Sequence, residues 1–254
     1  MNWLVHQNNL DHKIETDYKN RRKQLQGFKA NKYVPYHRRQ MSITDISNQA
    51  IKQRTDLLEG YLASINRFNI GGWITAQSKF RSTVLEEFCG YLFKDLPKLQ
   101  ELGLGFYRKH IFAGIRIDSN GRPRFETKDI DFCISKQVRI NIENTAEEIR
   151  LPAIAIECKT YVDKTMFNEA QFAAQRLKGG APRIKVLMLT ERNAIGIDEI
   201  PSQTPIDQIY VLRRSATAPI DFNTVLDFFC DVRETLEGIG TKERLTLPGK
   251  LLTK

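Results

Sequence analysis

The sequence predicts an α/β fold, in which a mixed central β-sheet is flanked by helices and preceded by a basic, largely helical N-terminal arm. Short apolar segments with strand character recur along the chain, one amphipathic helix separates two of them, and longer amphipathic helices stand before and after them. The strand candidates are residues 104–117, 124–135, 137–143, 151–160, 183–190 and 207–213. A helix over about 164–177 separates the fourth and fifth candidates, which is typical of a crossover between parallel strands.

Start and stop signals bound the other helices. The segment Ser42–Asp45 predicts the start of a helix that runs to about Phe68. A second helix is expected over about 75–94. The pair Gly179-Gly180 is a strong signal for the end of the crossover helix. The last helix, over about 221–236, carries apolar residues at i, i+3, i+4 and i+7 and therefore has one buried face.

Composition excludes several classes of protein. The chain has 254 residues, which is enough for one large domain or two small ones, and a formal net charge of +9. No stretch approaches the roughly 18 continuous apolar residues that a membrane span needs. The first residues also lack the long apolar stretch of a secretory signal. We therefore expect a cytoplasmic protein with no membrane partner.

The cysteines and histidines form no metal-binding pattern. The cysteines are Cys89, Cys133, Cys158 and Cys230. Each lies singly in an apolar segment without zinc spacing, so we expect small buried side chains in a reducing compartment. His6 and His12 are a possible metal pair, but solvated residues of the N-terminal arm are the better interpretation. No structural zinc is expected.

The positive charge is concentrated in residues 1–40, which contain nine Lys or Arg and three acids, a local net charge of +6. We interpret this segment as an arm, helical around Leu10–Leu25 and irregular through Gly27 and Pro35, that precedes a main domain over 41–254. Lysine and arginine neutralise phosphates and release counterions, so the simplest partner is a nucleic acid. The candidate contacts are Arg21, Arg22, Lys23, Arg38 and Arg39.

Two of the strand candidates carry acids and a lysine. Side chains alternate across a strand, so Glu157 and Lys159 share one face, while Asp131 lies in an otherwise apolar strand. If the two strands pair, two carboxylates and an ammonium group converge on one patch. Such a patch can hold a divalent cation next to a phosphodiester. An ordinary half-exposed strand shows the same alternation, and in that case Lys159→Ala would be harmless.

The arrangement of these residues resembles the PD-(D/E)xK nuclease superfamily and, within it, the type II restriction endonucleases. Asp131 begins the run Asp131-Phe132-Cys133-Ile134, and 25 residues separate it from Glu157 in Ile154-Ala155-Ile156-Glu157-Cys158-Lys159. Upstream lies an acid-bearing helix, Ser82–Phe88. The run 157–166 is similar to that of one small group of short-site restriction enzymes, and the resemblance covers roughly 75–215. The Pro-Asp of the motif is Ile130-Asp131 here, with Lys128-Asp129 as a second candidate.

The resemblance implies a fold, a cofactor and a set of roles. The fold would be a restriction-endonuclease-like core, and the cofactor would be Mg²⁺. The implied ligands of Mg²⁺ are Asp131, Glu157 and the backbone carbonyl of Cys158, while Lys159 would act on the phosphate and the attacking water. An acid of the upstream helix completes the set. The family pattern favours Glu86, whereas helical phase favours Glu87.

The implied substrate is double-stranded DNA. Besides the arm, the loop 118–124 offers Asn120, Arg122 and Arg124 for base contacts, although Asn120-Gly121 is also a plain hairpin signal. Cutting both strands of a palindromic site favours a homodimer or a pair with a second nuclease subunit. The final helix can complete the core or form that interface.

The sequence therefore predicts a Mg²⁺-dependent type II restriction endonuclease of the prokaryotic cytoplasm that hydrolyses DNA at a short specific sequence. Two alternatives remain open. One is a repair, recombination or mobile-element nuclease on the same scaffold, and the other is a DNA-binding protein without catalysis. A plasmid-cleavage assay with Mg²⁺ and with EDTA separates these classes.

Overall fold

The computed structural model of the chain describes residues 3–17, 19–69, 72, 74, 79–142, 145–196 and 203–240. Its α-helices are α1 Val5–His12, α2 Arg22–Phe28, α3 Val34–Ser42, α4 Asn48–Phe68, α5 Lys79–Phe93, α6 Pro97–Leu102, α7 Lys164–Gly180 and α8 Phe222–Gly238. Its strands are β1 Gly105–Tyr107, β2 Ile111–Ile117, β3 Pro123–Lys128, β4 Phe132–Ile142, β5 Thr145–Val162, β6 Lys185–Asn193 and β7 Gln208–Val211. Within these ranges, no helix combines the length and apolar character needed to cross a membrane.

The seven described strands form one mixed sheet around the long strand β5. β5 pairs antiparallel with β4 along one edge, and β1 continues the sheet beyond β4. Along its other edge β5 pairs parallel with β6, which in turn pairs with β7. β2 joins β5 only where Ile111 pairs with Arg150, and β3 follows as its antiparallel partner. The predicted α/β class with a mixed sheet flanked by helices is confirmed.

Helices cover both faces of the sheet because β5 is apolar on both. Ile154, Ile156 and Cys158 belong to a hydrophobic core shared with α4, α5 and α8. The alternate residue Ala155 belongs to a second core shared with α7. Helix α7 approaches β2 closely at Gly180, where an added Cβ atom would lie 2.2 Å from the carbonyl carbon of Ala113. The crossover helix therefore packs on the opposite face of the sheet from α5.

The predicted strands 104–117 and 124–135 are each broken in the structure. The first divides into β1 and β2 at residues 108–110, where His110 has a φ of 57°. The second divides into β3 and β4 at residues 129–131. These two connecting segments run side by side, because Ile130 N donates to Arg108 O at 2.8 Å. The predicted strand 137–143 is mostly the continuation of β4.

From Val5 to Ser42 the described residues of the N-terminal segment are helical, and the prediction of irregular chain around Gly27 and Pro35 is wrong. Pro35 lies in the first turn of α3, where its missing N–H group costs no helical hydrogen bond. Apolar residues of this segment pack into the same core as α4 and α5; they include Trp3, Leu10, Leu25, Phe28, Tyr33 and Tyr36. The division into an arm and a main domain at residue 40 stays a prediction.

The start of α4 also differs from its prediction at Ser42–Asp45. The helix begins at Asn48, because the Ser47 hydroxyl caps it and accepts a hydrogen bond from Ala50 N at 3.3 Å. Asp45 instead accepts hydrogen bonds from the backbone N–H groups of Ile46 and Ser47. The predicted start of α5 near residue 75 lies outside the described residues.

Candidate active site

Asp131, Glu157 and Lys159 meet at one point beside the central strand. Lys159 Nζ donates to Asp131 Oδ2 at 2.9 Å and to Glu157 Oε2 at 2.7 Å. Cys158 N also donates to Asp131 Oδ2, at 3.0 Å, which ties the Asp131 side chain to the edge of β5. The N–H and C=O groups of one strand residue lie on the same edge of the strand. The carbonyl of Cys158 therefore lies on the edge that Asp131 occupies.

Burial and close charges shift the pKa values of this cluster. Burial, followed by repulsion from Asp131, raises the pKa of Glu157 to about 7. Burial also acts on Asp131, but the charge and hydrogen bonds of Lys159 outweigh it and hold the pKa of Asp131 below its ordinary value. Burial opposes protonation of Lys159, but the two carboxylates raise the pKa of this lysine above its ordinary value. Lys159 is thus an ammonium group here and not a free base.

The cluster lines a cleft of about 270 Å³ whose other walls are strongly cationic. Four basic residues line it: Lys79, Arg108, Lys109 and Lys128. An exposed acid of α7, Glu169, lines it as well. Sequence reasoning missed all five residues. The charges of Lys109 and Lys128 are visible in the sequence, but only the side-by-side path of the two connecting segments places them at the cleft.

Glu86 faces the cluster from α5. Arg108 Nη2 lies 2.6 Å from Glu86 Oε2 in an ion pair, and Arg108 Nε donates to Asp131 O at 3.0 Å. Burial and the Asp131 charge raise the pKa of Glu86 to about 8. Arg108 therefore connects the helix acid to the backbone of the strand acid. The geometry supports Glu86 over Glu87 as the helix acid of the site.

Glu87 is buried in a different environment. Its carboxylate accepts hydrogen bonds from His6 N at 3.0 Å, Gln7 N at 3.1 Å, Tyr33 OH at 2.9 Å and Tyr91 OH at 2.6 Å. Burial raises the pKa of Glu87, although these hydrogen bonds oppose the rise. Both neighbouring acids are buried, so helical phase could not distinguish them. Glu87 fixes the N-terminal segment to α5.

Asp129 lines the same cleft as the cluster. Its carboxylate accepts a hydrogen bond from His110 N at 3.1 Å and stabilises the turn between β1 and β2. Asp129 and Asp131 were expected on the same face of one strand, but both lie in the connecting segment before β4. Strand alternation therefore does not apply to them. Of the two acids, Asp131 is the one that contacts Lys159.

His6 is not a solvated residue, as the sequence suggested. Its imidazole is buried, with Nδ1 3.0 Å from Thr83 Oγ1 and Nε2 2.7 Å from Tyr61 OH. Burial lowers the pKa of His6 to about 3, so the ring is neutral near pH 7. His12 is exposed at the other end of α1. The cysteines are free thiols, of which Cys89, Cys133 and Cys158 are buried and Cys230 is half-buried.

The predicted DNA contacts fall into two exposed groups. The N-terminal group consists of Arg21, Arg22, Lys23, Arg38 and Arg39. These residues lie on the helical segment that packs into the core with α4 and α5, and none of them lines the cleft. Asn120 and Arg122 lie in the turn between β2 and β3, and Arg124 lies on β3. This second group belongs to a strand pair that begins at the cleft, because Lys128 both ends β3 and lines the cleft.

The donor atoms at the cluster fit a hard divalent cation. Carboxylate and carbonyl oxygens are the ligands that Mg²⁺ prefers. The residues that would hold it are Asp131, Glu157 and Cys158 through its carbonyl, and a cation there would relieve the repulsion that raises the pKa of Glu157. In the described part of the chain, no group of three or more His, Cys, Asp or Glu side chains could hold a metal ion by itself. The backbone carbonyl of Cys158 would therefore supply a third ligand.

A mixed sheet with this acid and lysine cluster beside its central strand defines a restriction-endonuclease-like nuclease. Residues 77–234 match the model of the Bpu10I restriction endonuclease family. That match spans more than half of the sequence, so the chain belongs to the Bpu10I restriction endonuclease family.

A solved structure, described as the native BbvCI A2B2 tetramer at low resolution, has a similar fold. The TM-score is 0.71 at 19% sequence identity, and the match covers 95% of this chain and 99% of that one. At this identity the likeness concerns the fold alone. No curated protein sequence matches the chain at a significant level.

Proposed function

We propose that this protein is a Mg²⁺-dependent type II restriction endonuclease that hydrolyses phosphodiester bonds of double-stranded DNA at a short specific sequence. The observation that carries the proposal is the meeting of Asp131, Glu157 and Lys159 at one point, with Lys159 Nζ within 2.9 Å of both acids. An ion pair that served only to stabilise the fold would need one acid beside Lys159. The second buried acid, Glu157, whose pKa is raised, is not needed for that role. The family membership of the chain supports the same activity.

Each residue of the cleft has a role in this proposal. Asp131, Glu157 and the carbonyl of Cys158 would hold the cation, and Glu86 positions Arg108 beside them. When bound, Mg²⁺ supplies a Lewis acid that polarises the scissile phosphate and lowers the pKa of a coordinated water. Lys159 donates hydrogen bonds to a phosphate oxygen and stabilises the charge that develops on it. Lys159 would also orient or deprotonate the attacking water.

The cations around the cleft account for substrate binding. Lys79, Lys109 and Lys128 surround the acids. Without these lysines the acids would repel the phosphates of DNA. Phosphate contacts from lysine fix the position of a duplex without reading its sequence. The exposed N-terminal cations Arg21, Arg22, Lys23, Arg38 and Arg39 would extend this contact along the backbone.

Two active sites are needed to cut both strands of a duplex. We therefore propose that the protein acts as a homodimer or together with a second nuclease subunit, in the cytoplasm of a prokaryote. The structurally similar BbvCI is described as an A2B2 tetramer. Sedimentation analysis with and without a DNA duplex would measure the assembly directly.

A plasmid-cleavage assay tests the catalytic proposal. The wild type should convert supercoiled plasmid into discrete fragments with Mg²⁺ and leave it intact with EDTA. Lys159→Ala should lower the cleavage rate by roughly 10²-fold or more, because it removes the donor to the developing charge. Lys98→Ala on α6 removes a lysine outside the cleft and should cut normally. Equal rates for Lys159→Ala and the wild type, with matching thermal unfolding, would refute the assignment.

A further inference from the structure

Strands β2 and β3 form a two-stranded ribbon whose base adjoins the cleft. β2 begins two residues after Lys109, and β3 ends at Lys128; both lysines line the cleft. β2 meets β5 only where Ile111 pairs with Arg150, so most of the ribbon has no neighbouring strand among those described. Helix α7 supports the base of the ribbon, where Gly180 packs against Ala113 of β2.

One face of the ribbon carries a pair of arginines. Arg116 and Arg124 are direct cross-strand partners, and their side chains are 64% and 51% exposed. Like charges directly opposite one another destabilise a strand pair. Acids offset this repulsion, since Arg116 Nε lies 3.5 Å from Glu126 Oε1, Arg124 Nε lies 3.2 Å from Asp118 Oδ2, and Arg124 Nη1 lies 3.9 Å from Glu147 Oε1. More than half of each arginine side chain nevertheless remains exposed, so the pair can bind an anionic partner.

The arginine face and the cleft lie on the same side of the sheet. Arg124, Glu126 and Lys128 alternate onto one face of β3, and Lys128 lines the cleft. Arg176 of α7, the helix that supplies the cleft residue Glu169, lies 3.9 Å from Glu126. A duplex held at the catalytic cluster can therefore extend along the arginine face without crossing the sheet.

The turn at the end of the ribbon is rigid. Asp118 Oδ1 accepts hydrogen bonds from Asn120 N at 2.8 Å and Arg122 N at 3.0 Å, and Asp118 N donates to Arg122 O at 2.8 Å. Gly121 takes the positive φ of 76° that closes the turn. A turn fixed in this way holds Asn120 and Arg122 in place before any partner binds, which lowers the entropy cost of binding.

We propose that the β2–β3 ribbon enters the major groove of the DNA substrate and that Arg116 and Arg124 are specificity-determining residues that bind guanine edges. This inference rests on the proposed nuclease function. The major groove admits a two-stranded ribbon, and arginine binds guanine O6 and N7 with two hydrogen bonds. Seven residues of β2 span about 23 Å, which corresponds to about seven base-pair steps. The bases read lie within that distance of the cut phosphate.

The experiment selects bound duplexes from a randomised DNA pool and sequences them. Ca²⁺ replaces Mg²⁺, so that an oxygen-ligand cation is present while binding is measured. Four proteins are compared: the wild type, R116A/R124A, R116K/R124K and the control K98A/R233A. The control removes two positive charges from α6 and α8 on the other face of the sheet. The lysine variant keeps the charge but loses the planar fork that binds guanine.

The wild type and the control should enrich the same motif. Both ribbon variants should lose roughly tenfold or more of their preference for it. R116K/R124K should keep the salt dependence of wild-type binding, because its charge is unchanged. Thermal unfolding of each variant verifies that it is folded.

Weaker binding by the ribbon variants with an unchanged motif overturns the proposal, because the arginines then contact only phosphates. Cleavage of the same plasmid sites by the wild type and a folded ribbon variant overturns it too, and leaves the nuclease function standing. A wild type that selects a motif dependent on both arginines but never cuts with Mg²⁺ supports the ribbon and refutes the nuclease function. A wild type that neither selects nor cuts DNA overturns both.

Discussion

Replacing His6 by Gln should change how the stability of the protein depends on pH. The imidazole is fully buried among aromatic rings, and burial lowers its pKa from 6.5 to about 3. The unfolded chain takes up a proton near pH 6.5, whereas the folded protein keeps the ring neutral. His6 therefore contributes stability that is fully present above pH 6.5 and is lost as the pH falls toward 3.

The size of this effect follows from the two pKa values. Each pKa unit corresponds to about 1.36 kcal/mol, so the wild type should lose roughly 3 kcal/mol between pH 7.5 and pH 4 through this residue alone. At pH 7.5 the Gln variant should be less stable, because the contacts of the ring with Thr83 and Tyr61 are worth about 1 kcal/mol each. The deficit should shrink or reverse at pH 4.

Urea unfolding of both proteins at pH 7.5, 6, 5 and 4 measures the difference in free energy of unfolding. Glu87, whose carboxylate accepts a hydrogen bond from His6 N, is present in both proteins, so its titration largely cancels. His12→Gln is the control for replacing a histidine on the same helix, since His12 is exposed and lacks the buried contacts of His6. Parallel curves for the wild type and His6→Gln would refute the reasoning.

Three further predictions concern other parts of the fold. Gly180→Ala should lower the free energy of unfolding by about 1–3 kcal/mol, because its Cβ atom would overlap the backbone of Ala113. Gly179→Ala has open space and should be neutral. Equal Tm values for the two variants would contradict this prediction. Arg54→Met should cost roughly 1–3 kcal/mol, because it removes the buried donor to the Gln40 carbonyl, while Lys94 still donates to the Ile43 carbonyl and to Asp95. Urea unfolding beside the exposed control Arg67→Met measures the loss, and equal losses would exclude a special role. Under the proposed function, Mg²⁺ should raise the Tm of the wild type. Glu157→Gln should abolish that rise and Glu148→Gln on the same strand should keep it; a rise retained by Glu157→Gln would remove Glu157 from the cation ligands.

The meeting of Asp131, Glu157 and Lys159 was predictable because it depends on short-range geometry. Alternation along β5 places Glu157 and Lys159 on one face, and the apolar residues Ile154, Ile156 and Cys158 on the other face pack into the core. Pairing of two neighbouring strands then brings Asp131 close. The ends of the crossover helix and of the final helix were also near their predicted positions, since glycine and capping signals act locally.

The cationic cleft and the buried N-terminal segment were not predictable in this way. Arg108 and Lys109 reach the cleft only because the chain turns at His110, where a positive φ is uncommon for histidine. His6 looks like a solvated residue in a polar helix, yet its burial depends on Tyr61 and Thr83, which are far away in the sequence. Long-range packing of polar residues leaves no periodic signal.

The paired connecting segments 108–110 and 129–131 have a consequence for how such proteins diverge. They are held together by one backbone hydrogen bond and by the side chains of Arg108 and Asp129, and they deliver Asp131 to the cluster. An inserted or deleted residue there would displace the acid, whereas a change of length at the tip, residues 119–121, leaves both segments untouched. Under the proposed function, variation in length among descendants should therefore accumulate at the tip and leave the position of Asp131 unaltered.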